Sequence, residues 1–204
     1  MSGDPVSHQA GAQEDERALI ERTLAGETAA FDQLVRSHQQ VVFAVAMRML
    51  GDADEAQDTA QDAFVRAYRA LGTFRREAKL STWLVSITMN LCRNRRRWWA
   101  RRRRVIAASL DEPMRPGEES AGHEVPDPAP SPSAAAERRD QGRIVTSALQ
   151  QLREGDRTVI VLRDLQGHSY EEIAAMLRCR VGTVKSRLNR ARWQLRALLD
   201  GKLS

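Results

Sequence analysis

Six of the chain's seven prolines fall between residues 113 and 132. They sit in "SLDEPMRPGEESAGHEVPDPAPSPSAAA", a stretch with almost no apolar periodicity. Proline lacks a backbone N–H and fixes φ, so a run this dense interrupts any helix or sheet ladder. A segment so poor in apolar side chains also buries too little surface to offset its ordering entropy. Residues 105–136 therefore read as a flexible, extended acidic Pro-rich linker, and what folds must fold on either side of it. The 204 residues suffice for two small domains, 17–104 and 137–204, behind a polar, disordered N-terminal tail over 1–16.

Both flanking stretches read as helical. Aromatic residues make up only 5% of the chain, Ala, Leu, Arg and Glu are plentiful, and a parallel-sheet pattern is absent, so the expected fold class is all-α. Phe31, Leu34, Val35, Val42, Val45 and Met49 recur at helical spacing up to a stop at Gly51-Asp52. Ala56, Ala60, Ala63, Phe64, Ala67 and Leu71 mark the buried side of a second helix. Ser81 is a candidate N-cap for a third, "TWLVSITMNLCRNRRRWW". Beyond the linker, Ile144, Val145, Ala148, Leu149 and Leu152 restart the pattern, and Gly167 should end the helix in "DRTVIVLRDLQG".

Charge is sorted along the chain. It sums to about −6 over residues 1–74, +10 over 75–104, −5 over 105–136 and +6 over 137–204, which gives the net +5. Two cationic blocks point to a polyanionic partner. No apolar stretch approaches the roughly 20 residues that a bilayer helix needs, and the polar, acidic start is unlike a signal peptide. Cys92 and Cys179 are lone thiols without a partner spacing, which argues against disulfides and zinc and for a reducing cytoplasm. Scattered His residues, no Gly-rich phosphate loop and no metal-spaced acid cluster leave little to catalyse with, so neither an enzyme nor a cofactor is expected. The acids Asp52, Asp54, Glu55 and Asp58 read as a helix start beside the dipole rather than as metal ligands.

The stretch "SYEEIAAMLRCRVGTVKSRLNRAR", from Ser169 to Arg192, changes character halfway. Ser169 and Glu172 have capping-box spacing, and Ile173, Ala174 and Leu177 give that helix a buried face. "RCR" is a sharp turn. A second helix buries Val184, Leu188, Ala191 and Leu195 and leaves Lys185, Ser186, Asn189, Arg190 and Trp193 outward. This is a helix–turn–helix: the first helix packs and carries acids, while the second is purely basic because it enters a major groove lined by phosphates.

The wording of this stretch, together with "LREGDRTVIVLRDLQGHSYEEIA" at its upstream side, resembles the C-terminal DNA-reading region of bacterial extracytoplasmic-function sigma factors of the sigma-70 family. A helix–turn–helix alone could equally serve a stand-alone repressor or activator. The N-terminal half separates the two readings. "FDQLVRSHQQVVFAVAMRMLGDADEAQDTAQDAFVRAYRALGTFR", followed by "STWLVSITMNLCRNRRR", is similar to the first domain of the same sigma factors, and the likeness covers roughly residues 17–104 and 137–200 in the same order.

The resemblance implies a promoter-specificity subunit of RNA polymerase that directs transcription of a stress or envelope-response regulon. Asp58, Gln61, Asp62 and Val65 lie at i, i+3, i+4 and i+7 as a polar stripe, which the resemblance docks on the beta-prime clamp of core polymerase, with the beta flap as a further contact. Ser86, Asn90, Arg93 and Arg97 step along the third helix toward "RNRRRWWARRRR", where Trp98-Trp99 add stacking surface. The resemblance places the minus-ten element there, with the loop Thr73 to Leu80, including Arg75, Arg76 and Lys79, holding a base flipped from the stack. Trp83 reads as core or as a wedge at the duplex edge. The minus-thirty-five element falls to the C-terminal helix: Thr183, Lys185, Ser186, Asn189 and Arg190 toward bases, Arg178, Arg180, Arg187 and Arg192 toward phosphates. Promoter DNA and an anti-sigma factor are the further partners implied, without a small-molecule substrate, for a cytoplasmic protein that such a factor would sequester at the inner membrane. The linker acids Asp111, Glu112, Glu118, Glu119, Glu124 and Asp127 either mimic nucleic acid in the polymerase cleft or serve solubility.

Overall fold

The structure, a computed structural model, describes residues 5–76, 78–109 and 132–203, with side chains over 15–76, 78–104 and 140–200. Helices α1 (Pro5–Leu24), α2 (Thr28–Leu50), α3 (Ala53–Ala70) and α4 (Leu80–Ser109) form one domain. Helices α5 (Pro132–Gln151), α6 (Glu154–Ile160), α7 (Tyr170–Leu177) and α8 (Val181–Leu203) form the other. A 3-10 turn, Leu71–Thr73, follows α3, and a π-helical turn, Val161–Leu165, continues α6. No strand occurs among the described residues, and the fold is all-α.

Three boundaries differ from the sequence reading. Helix α1 already begins at Pro5, inside the stretch 1–16 assigned to a tail. Proline suits a first helical position and the Ala, Gln and Glu that follow favour helix. Helix enters the expected linker, 105–136, from both ends, through Ser109 and from Pro132, because "VIAAS" and "SAAAERRD" carry no interior breaker. The linker acids from Asp111 to Asp127 lie outside the described residues. Ser81 is not a cap, since α4 begins at Leu80.

The helices form where the periodicity puts them. Leu34, Val42, Val45 and Met49 on α2 are buried, as are Ala56, Ala60, Ala63, Phe64 and Ala67 on α3. Small residues on α3 let it lie close against α2 and α4, and a first core of Ile20, Leu34, Val42, Phe64, Leu80 and Leu84 fills the gap. Asp52 caps α3, its carboxylate accepting from the Glu55 N–H at 2.8 Å. Arg95 on α4 then pairs with Glu55 and, at 3.2 Å, with Asp58, tying α4 to the start of α3.

A second core runs from Val45, Met49, Val85 and Met89 of the first domain into Leu149, Val159, Ile173 and Leu188 of the second, so the two domains are packed together. At their junction α2 ends on Gly51, whose φ of 81° is the left-handed conformation that suits glycine. Its last carbonyls are met by groups from elsewhere. Gln150 Nε2 donates to Arg48 O at 3.0 Å, and Arg96 and Arg157 donate to Met49 O at 3.0 and 2.7 Å. Arg157, with no exposed surface, also donates to Leu149 O, Gln150 O and Leu152 O, so it caps α5 at the same time. Burial pushes this guanidinium down to about 10, with Arg96 adding to the effect.

Candidate nucleic-acid interface

On α3, Asp58, Gln61, Asp62 and Val65 are all exposed and lie on the helix face away from its buried alanines. The stripe extends further than the sequence suggested. Tyr68, 44% exposed, continues it beside Val65 at 48%. Its ring is held edge-on against Phe31 at 4.9 Å, so an accessible aromatic is fixed in place. Val65 was placed in the stripe by spacing, whereas the fixed Tyr68 ring depends on Phe31, which lies on another helix.

The cationic strip of α4 starts half-buried and ends in solvent: Ser86 and Arg93 are partly covered, while Asn90 and Arg97 are exposed. Ser86 donates to its own helix at Trp83 O, 2.7 Å away, so its hydroxyl is partly spoken for. Trp83 is half-buried against the first core; its ring leans on Phe74 at 5.1 Å and lines a cleft. In the loop before α4, Arg76 takes a left-handed φ of 58° and donates to Glu21 Oε1 at 2.9 Å, while Arg75 and Lys79 are exposed. The Glu21 carboxyl is held below its ordinary range first by that Arg76 hydrogen bond. Trp98 and Trp99 stack edge-to-face at 4.7 Å with Arg102 above Trp98, both rings partly accessible.

That loop and strip line a cleft of about 780 Å³ whose far wall is α7. Phe74, Arg75, Arg76, Trp83, Asn90 and Arg93 face Glu172, Met176 and Arg178 across it. Arg93 reaches Glu154 at 3.6 Å. One residue expected at the upstream element, Arg178, thus shares a cleft with those expected at the downstream one.

The second domain presents its reader as the sequence spacing requires. Ser169 Oγ accepts from Glu172 N–H at 3.1 Å and Glu172 Oε2 accepts from Ser169 N–H at 2.7 Å, closing the capping box of α7. Arg178 adopts a left-handed conformation that stops α7, Cys179 and Arg180 complete the turn, and α8 follows. Val184, Leu188 and Ala191 are buried; Lys185, Ser186, Asn189 and Arg190 are exposed, and Trp193 is 74% exposed. Thr183 and Arg187 are half-buried. Two arginines expected at DNA are exposed but already paired: Arg190 with Asp156 at 2.9 and 2.5 Å, and Arg192 with Asp164 at 3.0 and 2.5 Å. Both guanidiniums are raised above their ordinary range, first by these hydrogen bonds. Lys185 sits over the Tyr170 ring at 5.7 Å. Acids 28 and 34 residues away were beyond any local spacing rule.

Comparison with known proteins fits both halves. Residues 34–104 match the family described as Sigma-70 region 2, and residues 142–195 match Sigma-70, region 4. The chain is 41% identical to the RNA polymerase sigma-H factor of Pseudomonas aeruginosa over 185 residues, covering 88% of this chain and 91% of that one. It is 37% identical to the ECF RNA polymerase sigma-E factor of Escherichia coli K12, covering 87% and 90%. Among solved structures, it is similar to the sigma factor RpoE in complex with the anti-sigma factor NepR from Bartonella quintana, with a TM-score of 0.61, 28% identity and coverage of 83% and 96%. It is also similar to CnrH in complex with the cytosolic domain of CnrY, with a TM-score of 0.60, 31% identity and coverage of 92% and 98%.

Proposed function

The chain belongs to the extracytoplasmic-function sigma factors of the sigma-70 family, and from that premise we propose how its residues divide the work of promoter recognition. It is a transcription initiation factor, not an enzyme, and it binds core RNA polymerase and promoter DNA. The α3 stripe of Asp58, Gln61, Asp62 and Val65, with Tyr68, docks on the polymerase clamp. Ser86, Asn90, Arg93 and Arg97 on α4, with Arg75, Arg76 and Lys79 in the preceding loop, take the minus-ten element. The outward face of α8 takes the minus-thirty-five element.

The observation that carries this division is the pairing of a cationic strip on α4, exposed at Asn90 and Arg97, with an exposed face on α8 that carries no acid from Val181 to Leu199, in separate helical domains. Each face alone offers few contacts. Joined through one polymerase they act at high effective concentration on two elements of the same promoter. RpoE was captured with the anti-sigma factor NepR and CnrH with the cytosolic domain of CnrY, which supports an anti-sigma factor as a partner here too. Among the described residues no helix is long and apolar enough to cross a membrane, and a protein acting on DNA and polymerase works in the cytoplasm. The regulon is one of stress or envelope response, in line with the relatives' sigma-E and sigma-H names.

The test is reconstitution. Purified chain added to core polymerase should direct initiation from a distinct set of promoters in run-off transcription with mapped start sites. Core polymerase that initiates no better with the chain than without it would remove the proposal.

A further inference from the structure

Helix α8 is held from both flanks. At about 100° per residue, Val184, Leu188, Ala191 and Leu195 point one way, and Ser186, Asn189 and Trp193 point the opposite way. Arg190 and Arg192, two residues apart, leave the helix about 200° apart, on either side of buried Ala191. Each finds an acid on the supporting segment beneath. Arg190 meets Asp156 in the first turn of α6, and Arg192 meets Asp164 in the π-helical turn at the other end. The neighbours repeat the pattern: the Arg187 guanidinium passes over Gly155, where an added Cβ would lie 3.5 Å from Nη1, while Lys185 covers Tyr170. So α6 and its π-helical continuation cross beneath α8 and grip one flank at each end.

The two grips are unequal. Asp156 is 1% exposed, and a buried carboxylate is costly unless paired, so it commits Arg190 to one geometry. Side-on binding through Nε and Nη2 leaves the Nη1 end of the fork for DNA. Asp164 is more accessible, and its pair with Arg192 is an exchangeable one.

We propose that Asp156 and Asp164 are positioning residues of the upstream-element reader: by holding Arg190 and Arg192 from opposite flanks they fix the rotation of α8 about its own axis, and so decide which side chains meet base edges. The inference rests on the assignment of α8 to the minus-thirty-five element. A turn of the helix by one flank would bring Arg187 or Lys185 toward the groove in place of Ser186 and Asn189. Specificity would then relax while charge stayed the same. Asp164 has a second effect, because while it holds Arg192 that cation is withheld from phosphates.

The test uses the full chain with core polymerase. Wild-type holoenzyme first selects upstream sequences from promoter fragments randomised at that position; affinities for the selected and a scrambled element are then compared for wild type, Asp156→Asn and Asp164→Asn. Both substitutions should lower the selected-to-scrambled ratio by roughly tenfold, the scale of one good base contact. Asp164→Asn should in addition bind the scrambled element more tightly and steepen its salt slope by about 1, as Arg192 becomes available to phosphate. The exchanged pair Asp164→Arg with Arg192→Asp should restore the ratio, which guards against a variant that merely folds badly. Selected and scrambled affinities that fall together, or a ratio unchanged in both variants, would overturn the proposal. If wild type itself selects no upstream motif, the assignment of α8 has failed rather than the positioning role.

Discussion

At the scale of single residues, the start of the helix–turn–helix contains a proton-sensitive pair. His168 is buried, its Nε2 has no partner among the described residues, and its Nδ1 stands 3.8 Å from Glu172. Burial pushes the imidazole below its ordinary range, and Glu172 only partly opposes this. The folded domain therefore resists a proton that the unfolded chain accepts from about pH 6.5 downward. Stability is complete above that value and falls as the pH drops through it. Glu172 adds a separate loss at lower pH, since the Ser169 N–H holds its carboxyl below the ordinary range and that stabilisation disappears as the carboxylate is protonated. Thermal unfolding of the full chain between pH 7.5 and 5.5 should show the second domain weakening, and His168→Leu should flatten that slope while leaving most of the carboxylate loss at lower pH, which the Ser169 N–H dominates. A wild-type slope identical to that of His168→Leu would show that this imidazole is not held neutral. Ser169→Ala, by contrast, should cost about 1 kcal/mol at every pH above 5, the usual worth of an N-cap.

At the scale of elements, the difference between α3 and α6 explains what a sequence can reveal. The alanines and Phe64 of α3 repeat every three or four residues, so its buried side and its outer stripe were both legible from spacing alone. The same holds for α7 and α8, where the capping box and the steps from Val184 to Leu188 to Ala191 fix a local geometry. Helix α6 was not legible in this way. Its arginine, Arg157, is buried completely, and its Asp156 nearly so, against the rule that charged residues stay outside. Both are satisfied by atoms from other elements, Met49 and Arg190, which no periodicity connects to them. The candidate site divides along the same line: exposure of the α4 and α8 strips followed from spacing, while the restraint of Arg76, Arg190 and Arg192 depended on distant acids. The stripe on α3 makes the element-level prediction. Asp62 is exposed and engaged in no hydrogen bond or ion pair among the described residues, so Asp62→Lys should leave the fold intact while reversing charge at the centre of the docking face. Co-purification with core polymerase should fall at least tenfold, with unfolding temperature unchanged. Undiminished co-purification would move the clamp contact off α3.

At the scale of the molecule, the packed arrangement of the two domains conflicts with simultaneous contact to two promoter elements. Elements centred near minus ten and minus thirty-five are separated by about 25 base pairs, or about 85 Å at 3.4 Å per step. A compact chain of this length has a radius of gyration of only about 17 Å. In the packed form the α4 strip also faces α7 across the shared cleft, and Arg93 is paired with Glu154. If the two faces take the two elements as proposed, the domains must part before both are used, and the chain length from Ser109 to Pro132 allows at most about 80 Å between those residues. What holds the packed form is concentrated at the end of α2. Gln150 is the bridge: its amide donates to Arg48 O at 3.0 Å and its oxygen accepts from Arg157 at 2.6 Å and Arg96 at 3.0 Å. A Cβ on Gly51 would lie 2.7 Å from this side chain, so the fit there has no slack. Gln150→Ala removes two hydrogen bonds across the domain boundary, to Arg48 O and from Arg96, and one within the second domain, from Arg157, so it should weaken packing by about 1–3 kcal/mol and raise the open fraction at least fivefold. Small-angle scattering of the variant should give a larger radius of gyration than wild type, and an extended strand of promoter DNA should protect more of α4 from proteolysis or labelling. Scattering curves that superimpose would mean that the apolar core alone keeps the domains together, and that polymerase must do the work of separating them.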